Sequence, residues 1–146
     1  METGEKMNNE KEVSSVLRRK ILIGVMAFQG LSGLVGGFGL MADPSGASLQ
    51  IPLEWLEGSP FTDYLIPGIV LFLILGVIPL GVVVGLRKRM RWSRHAAIAV
   101  GVALCIWIAV EIAVIGYQAD PPLQLIYGIV GIAILLLSLS LPKKAP

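Results

Sequence analysis

Four long apolar runs, separated by polar segments, dominate the pattern of the chain. They cover residues 21–41, 65–86, 96–117 and 123–141. A run of about 20 apolar residues is long enough to cross a bilayer as a helix. A helix also satisfies its own backbone groups, as hydrocarbon requires. The pattern therefore predicts an all-α fold, an integral membrane four-helix bundle that occupies residues 19–142.

Composition agrees with this prediction, because 55% of the 146 residues are hydrophobic and 15% are charged, against roughly 25% charged in soluble domains. Residues 1–18 mix charged residues with Asn and Ser and predict a disordered tail, and residues 143–146 form a second tail. The first apolar run exceeds the core of a signal peptide, and Leu40-Met41-Ala42 lacks the small-x-small cleavage pattern. We therefore expect this run to be retained as a helix.

The positive charges predict the orientation. All twelve Lys and Arg residues precede the first run, lie between the second and third, or follow the fourth: Lys6, Lys11, Arg18, Arg19, Lys20, Arg87, Lys88, Arg89, Arg91, Arg94, Lys143 and Lys144. The other two connections carry only acidic charges: Asp43, Glu54, Glu57, Asp63 and Asp120. Because cytoplasmic loops are rich in Lys and Arg, we expect a multi-pass plasma-membrane protein with both termini cytoplasmic. The net charge of +2 thus reports topology and does not indicate a nucleic-acid partner.

The connection between the first two runs is long enough to carry structure of its own. Asp43-Pro44-Ser45-Gly46 is typical of a turn, and Pro52 followed by Leu-Glu-Trp-Leu-Glu predicts a short helix. Apolar residues also alternate from 49 to 55, as they do in a strand. We favour a short interfacial helix with Trp55 at headgroup depth. Ser93 and Asp120 are expected to cap the third and fourth helices.

Small residues mark the expected helix contacts, because close backbone approach favours helix association in lipid. The first helix contains Gly33-x-x-x-Gly37 and the second contains Gly81-x-x-x-Gly85. We expect packing inside one bundle, and the alternative is a homo-oligomer through Gly33/Gly37 or Gly81/Gly85.

Glu111 is a lone carboxylate in the third run. An ionised carboxylate inside a membrane costs about 2.5–3.5 kcal/mol, so it is expected to face protein or water. Tyr127 of the fourth helix lies at about the same depth, and Gln124 shares a helical face with Tyr127. These three residues predict a polar cluster near the outer mouth, which serves either as a structural hydrogen bond or as a ligand or proton site.

A second polar site is predicted beside Pro79. Proline has no N–H, so the carbonyl of Leu75 loses its helical donor and the helix is expected to kink. Gln29 and Ser32 of the first helix lie at about this depth and carry donors. They are expected either to repair the kink or to form a polar site.

Residues 87–95 place Arg87, Lys88, Arg89, Arg91 and Arg94 in a short loop. Each cation near an anionic surface contributes about 1 kcal/mol of attraction, which predicts binding of anionic lipid headgroups. The alternative is that these charges only specify topology.

His95 and Cys105 have no partners at ligand or redox spacing, and no phosphate loop or hydrolase motif occurs. We therefore expect no metal and no cofactor, and an enzyme is disfavoured.

Three segments carry a resemblance to a known group of proteins: residues 42–68, 107–116 and 123–128. They resemble small prokaryotic four-helix integral membrane proteins without an assigned activity, and the general layout is similar to DoxX-like proteins. The resemblance implies a topology and no functional residue. The first hypothesis is a non-enzymatic accessory or lipid-associated bundle. The alternatives are a small-molecule or proton-coupled carrier that uses Glu111, and a membrane enzyme that acts on a lipid or quinone with Glu111 and Tyr127.

Overall fold

The structure, a computed structural model, describes residues 2–119 and 122–143. The described residues form four long helices and no strand. The long helices are α1 (Glu2–Ala42), α2 (Leu65–Arg87), α3 (Ser93–Ile115) and α4 (Leu123–Ser140), and each is long and apolar enough to cross a membrane. The prediction of an all-helical chain with four such helices is confirmed.

The first helix is much longer than its apolar run. It has 41 residues, which correspond to about 60 Å, roughly twice the thickness of the hydrocarbon core. The sequence predicts a disordered tail over residues 1–18, whereas the structure continues α1 back to Glu2. Glu, Lys and Met favour helix, and extending an existing helix avoids the cost of nucleation. The first twelve or so described side chains are exposed.

The bundle is built around α1, which packs along the whole of α2 and also contacts α4. The first half of α2 packs on α1 and has no comparable contact with α3, whereas its second half contacts both. Leu22, Met26, Leu75, Leu104 and Ile134 form the centre of the core and are almost completely buried. Within the four apolar runs, the outward surfaces of the helices carry exposed apolar side chains, as expected for helices that have lipid as their solvent.

Glycines allow α1 and α2 to approach closely. A Cβ atom added to Gly33 would overlap the backbone of Leu75, and one added to Gly37 would lie 2.6 Å from the backbone nitrogen of Phe72. Both glycines therefore serve packing inside the chain, and their face is not free for the homo-oligomer considered above. Gly81 meets no neighbour, whereas Gly85 is covered by the ring of Trp92. An oligomer through this second pair stays a prediction, and it would require Trp92 to move.

The connection from α1 to α2 is ordered by short local contacts. The N–H of Gly46 donates to the carbonyl of Asp43 at 3.0 Å, so the predicted turn is present. The carboxylate of Asp43 accepts hydrogen bonds from the hydroxyls of Ser45 and Ser48 at 2.6 and 2.7 Å. These bonds, that of Ser45 first, lower the pKa of Asp43 to about 2.

The predicted short helix after Pro52 is present as a 3₁₀ turn over Leu53–Leu56, and another covers Ala47–Leu49. The hydroxyl of Tyr64 donates to the carbonyl of Pro52 at 2.6 Å, which ties this segment to the start of α2. Leu56 is buried together with Tyr64 and Leu40.

The predicted cap of α3 is wrong. Ser93 is the first residue of the helix, and its hydroxyl donates backwards to the carbonyl of Met90 at 2.6 Å instead of accepting from the helix. Asp120, the predicted cap of α4, lies outside the described residues, as do residues 144–146 of the predicted C-terminal tail.

The two ends of the bundle differ in charge. The basic end comprises residues 16–23, 86–94 and 138–143. The acidic end comprises residues 43–64, 116–119 and 122–124. The guanidinium of Arg18 donates to the carbonyl of Ser140 at 3.0 Å, so the start of the apolar part of α1 and the end of α4 meet at the same end.

Candidate functional site

The polar contact predicted beside Pro79 is present. Residues Leu73–Val77 form a π-helical turn just before the proline, and Nε2 of Gln29 donates to the carbonyl of Leu75 at 3.2 Å. Gln29 is only 2% exposed, so this bond satisfies a carbonyl that water cannot reach. Ser32 is half-buried and donates no hydrogen bond within the described residues. The side chain of Gln29 thus replaces the missing donor by itself.

One atom of this site remains without a partner. Oε1 of Gln29 is buried and accepts no hydrogen bond from the described residues. A buried acceptor without a donor costs about 1–3 kcal/mol, and π-helical turns are frequent at functional sites. The centre of the bundle can therefore accept one further hydrogen bond.

The structure places Glu111 on the core-facing stripe of α3. It follows Leu104 and Ile108 at helical spacing, both of which are buried. Glu111 is half-buried and precedes the end of the helix at Gly116 by five residues, or about 7.5 Å. Within the described part of the chain, its carboxylate forms no hydrogen bond with Tyr127 or with Gln124.

The side chain of Gln124 forms hydrogen bonds with backbone groups just after the end of α3. Its Nε2 donates to the carbonyl of Gly116 at 3.1 Å, and its Oε1 accepts from the N–H of Gln118 at 2.7 Å. The C-terminal end of a helix leaves carbonyls without partners, and Gln124 binds the carbonyl of Gly116 there together with the N–H of Gln118 just beyond. Its role is therefore to hold the connection between α3 and α4 against α4.

Tyr127 faces α1 and stacks on Phe28, with ring centroids 6.0 Å apart and an angle of 12° between the rings. The charge of Glu111 affects instead the pKa of Tyr64, at the start of α2. Burial is the larger cause that raises the pKa of Tyr64, and the charges of Glu111 and Glu54 raise it further. The predicted hydrogen-bonded cluster is thus absent, because equal depth along two helices does not determine which way each side chain points.

Some cations at the basic end donate to carbonyls at the end of α4, and others line a cavity. Nε of Arg94 donates to the carbonyl of Leu141 at 3.2 Å and its Nη2 donates to that of Leu139 at 3.3 Å. Together with Arg18, this residue satisfies the last carbonyls of α4, which have no helical donors. Arg94 therefore stabilises a helix end, and its guanidinium is less available for a headgroup than the sequence predicts.

Four of the remaining cations line a cavity of about 330 Å³ between α1 and the end of α2. Arg19 and Lys20 line it from α1, and Arg87 and Arg89 line it from the other side. Lys88 and Arg91 are exposed outside it. Arg19 and Lys20 were not predicted from the sequence as part of this cavity. The available signal was their position directly before the first apolar run, since Arg87 stands directly after the second.

Comparisons of the chain with protein-family models, with curated proteins and with solved structures found no match. The resemblance described above therefore rests on its three segments alone, and the geometry of the two ends carries the functional interpretation.

Proposed function

We propose that the protein is a non-enzymatic, lipid-associated multi-pass protein of the plasma membrane whose basic end faces the cytoplasm and contacts anionic headgroups. The observation that carries this proposal is the separation of charge along the bundle. Nine of the twelve Lys and Arg residues lie at the basic end, and the loop after α1 carries four acidic residues and no basic one. Positive charge on short loops is the strongest determinant of the cytoplasmic side.

The surface between the two ends supports a lipid environment. Large apolar side chains such as Val35, Phe38, Ile129 and Leu136 are more than half exposed. A belt of this kind is unfavourable in water and neutral in hydrocarbon. With the belt in the bilayer, the loop between α2 and α3 lies at headgroup level, where each cation contributes about 1 kcal/mol of attraction to an anionic surface.

Orientation is tested by labelling with a membrane-impermeant thiol reagent in intact cells. In a Cys105→Ala background, Thr62→Cys places a thiol at the acidic end, and Thr3→Cys places one on the part of α1 that extends beyond the basic end. We expect labelling of the first variant in intact cells and of the second only after lysis. The reverse pattern would show that the basic end faces outward.

Lipid association is tested by extracting the full chain in polymer-bounded discs and comparing the extracted lipids with those of the bulk membrane. We expect enrichment of anionic over zwitterionic phospholipids. Discs with the bulk composition would contradict a lipid-associated role. A triple variant, Arg18→Gln with Lys88→Gln and Arg91→Gln, shows how much of any enrichment depends on cations outside the cavity.

The second candidate function is a proton-coupled carrier. The observation that favours it is the half-buried Glu111, which lies on the core-facing stripe of α3 and has no hydrogen-bond partner among the described residues. A carrier of this kind predicts proton uptake by vesicles that contain the protein and a pH-sensitive dye. Uptake is expected to be lost in Glu111→Gln and retained in Glu54→Gln, a matched change in the exposed loop. Equal uptake by protein-free and wild-type vesicles would exclude this candidate.

A further inference from the structure

We propose that the cavity at the basic end is a binding site for the phosphate group of one anionic lipid, held by Arg19 from α1 and Arg89 from the end of α2. This inference rests on the proposed function and names the place and the chemical group of the lipid contact.

The walls of the cavity combine charge with apolar surface. Four of its seven lining residues are cations, and the other three, Val16, Ile23 and Leu86, are apolar. Ile23 lies one turn deeper along α1 than Arg19, towards the hydrocarbon. A lipid phosphate carries negative charge and is joined to acyl chains, so it matches both kinds of wall. Free phosphate would use only the cations.

Arg19 and Arg89 place two positive charges at the wall of the same cavity. Nη1 of Arg19 donates to the carbonyl of Leu86 at 3.4 Å, which fixes the guanidinium at the cavity wall. Burial lowers the pKa of Arg19, and the positive charge of Arg89 lowers it further. No ion pair to a carboxylate offsets this repulsion among the described residues. An anion between the two guanidinium groups would remove the repulsion and accept charge-assisted hydrogen bonds from both.

The backbone at Arg89 gives independent support. The helix α2 ends in a Schellman motif, in which the N–H of Met90 donates to the carbonyl of Gly85 at 2.9 Å and that of Arg89 to the carbonyl of Leu86 at 3.3 Å. Arg89 occupies the left-handed position of this motif, with φ of 55°. Glycine is the usual residue there, because a side chain is disfavoured at positive φ. The turn alone does not explain an arginine at this position, whereas an anion site does.

The test uses the full chain in detergent and native mass spectrometry. Phosphatidylglycerol, phosphatidylcholine and inorganic phosphate are titrated separately into the wild type, Arg89→Gly, Arg19→Gln and the control Arg91→Gln. The control removes one charge from the same loop outside the cavity. Arg89→Gly removes a charge while giving the turn its preferred residue, so its thermal unfolding temperature is expected to equal or exceed that of the wild type. Its effect on binding is therefore separable from misfolding.

We expect the wild type to bind phosphatidylglycerol more tightly than phosphatidylcholine. Arg89→Gly and Arg19→Gln are each expected to weaken phosphatidylglycerol binding about tenfold, the typical effect of one hydrogen bond to a charged group. Arg91→Gln is expected to change it less than about twofold, because a single lipid in detergent presents no extended anionic surface to an exposed cation.

Three results would overturn the inference. Equal losses in Arg89→Gly and Arg91→Gln would show that the charge of the whole loop attracts the lipid, and the proposed function would survive. Inorganic phosphate that binds as tightly as phosphatidylglycerol, with the same loss in Arg89→Gly, would assign the cavity to free phosphate. Equal binding of both lipids by the wild type would refute the lipid site and the proposed lipid association together.

Discussion

Gly33→Ala is the sharpest perturbation of the fold, because it acts where α1 and α2 touch through their backbones. The added Cβ would overlap the carbonyl group of Leu75, and backbone cannot move away as a flexible side chain can. The helices must therefore separate. The same movement would lengthen the hydrogen bond from Gln29 to the carbonyl of Leu75, which is already 3.2 Å long.

The size of the effect follows from these two losses. Overpacking a tight interface costs about 1–3 kcal/mol, and a hydrogen bond between membrane helices contributes about 0.6 kcal/mol. Gly24→Ala is the matched control, since its Cβ would meet no neighbour within 4 Å, and both variants gain the same helix propensity of alanine over glycine. We therefore expect the free energy of unfolding of Gly33→Ala to lie about 1.5–3.5 kcal/mol below that of Gly24→Ala.

The assay is unfolding of the purified protein by sodium dodecyl sulfate, followed by helical circular dichroism, with the mass of the folded species measured in parallel. Equal stabilities of the two variants would refute the close approach of α1 and α2 at Gly33. A Gly33→Ala protein that loses an oligomer while its monomer unfolds normally would instead place this glycine at a contact between two copies.

Further predictions concern single polar contacts. Gln29→Leu leaves the carbonyl of Leu75 without a donor and also removes the unpartnered Oε1 of Gln29. The two effects offset each other in part, so the free energy of unfolding, measured as above, is expected to fall by about 0.5–1 kcal/mol; an unchanged stability would mean that water replaces the amide. Gln124→Leu is expected to speed amide hydrogen exchange of residues 115–118, since Gly116 and its neighbours lose their side-chain partner, and unchanged exchange would contradict that role. Asp43 has a pKa of about 2, below its ordinary 3.8, so its stabilisation of the turn is present above pH 3.8 and is lost as the pH falls towards 2. Hydrogen exchange in residues 43–48 should show this acid dependence, and Asp43→Asn should abolish it.

Much of the fold was predictable because the bilayer restricts the choices. Length and hydropathy identify the four helices, and the charges of the loops separate the two ends. The helical state of residues 2–18 was not predicted, because their polar composition is typical of a disordered tail. Composition does not show that an existing helix can be lengthened at its end without a new nucleation cost. The short helix after Pro52 was predicted from proline and its neighbours, which act locally.

A predicted site was correct where the depth of its residues along the helices was enough to identify the contact, and wrong where the rotation of the helices also mattered. Gln29 was found because Pro79 identifies the carbonyl that lacks a donor, and depth along two adjacent helices then identifies the partner. The cluster of Glu111 with Tyr127 required the rotation of both helices as well, which a lone carboxylate and a tyrosine do not determine. The role of Gln124 depended on where α3 ends, and that boundary is set by Gly116, whose φ of 75° leaves the helical region.

The two ends differ in how many of their polar groups already form hydrogen bonds within the chain, and the proposed lipid site depends on this difference. At the acidic end, Asp43, Tyr64 and Gln124 each form hydrogen bonds with the loops around them, so these groups are already occupied. At the basic end, Arg94 donates two hydrogen bonds to carbonyls at the end of α4, whereas Arg19 donates one long hydrogen bond to the carbonyl of Leu86 and has a cation as its charged neighbour. Like charges held together beside a cavity favour an external anion. Binding should therefore depend on Arg19 and remain unaffected by the loop at the acidic end.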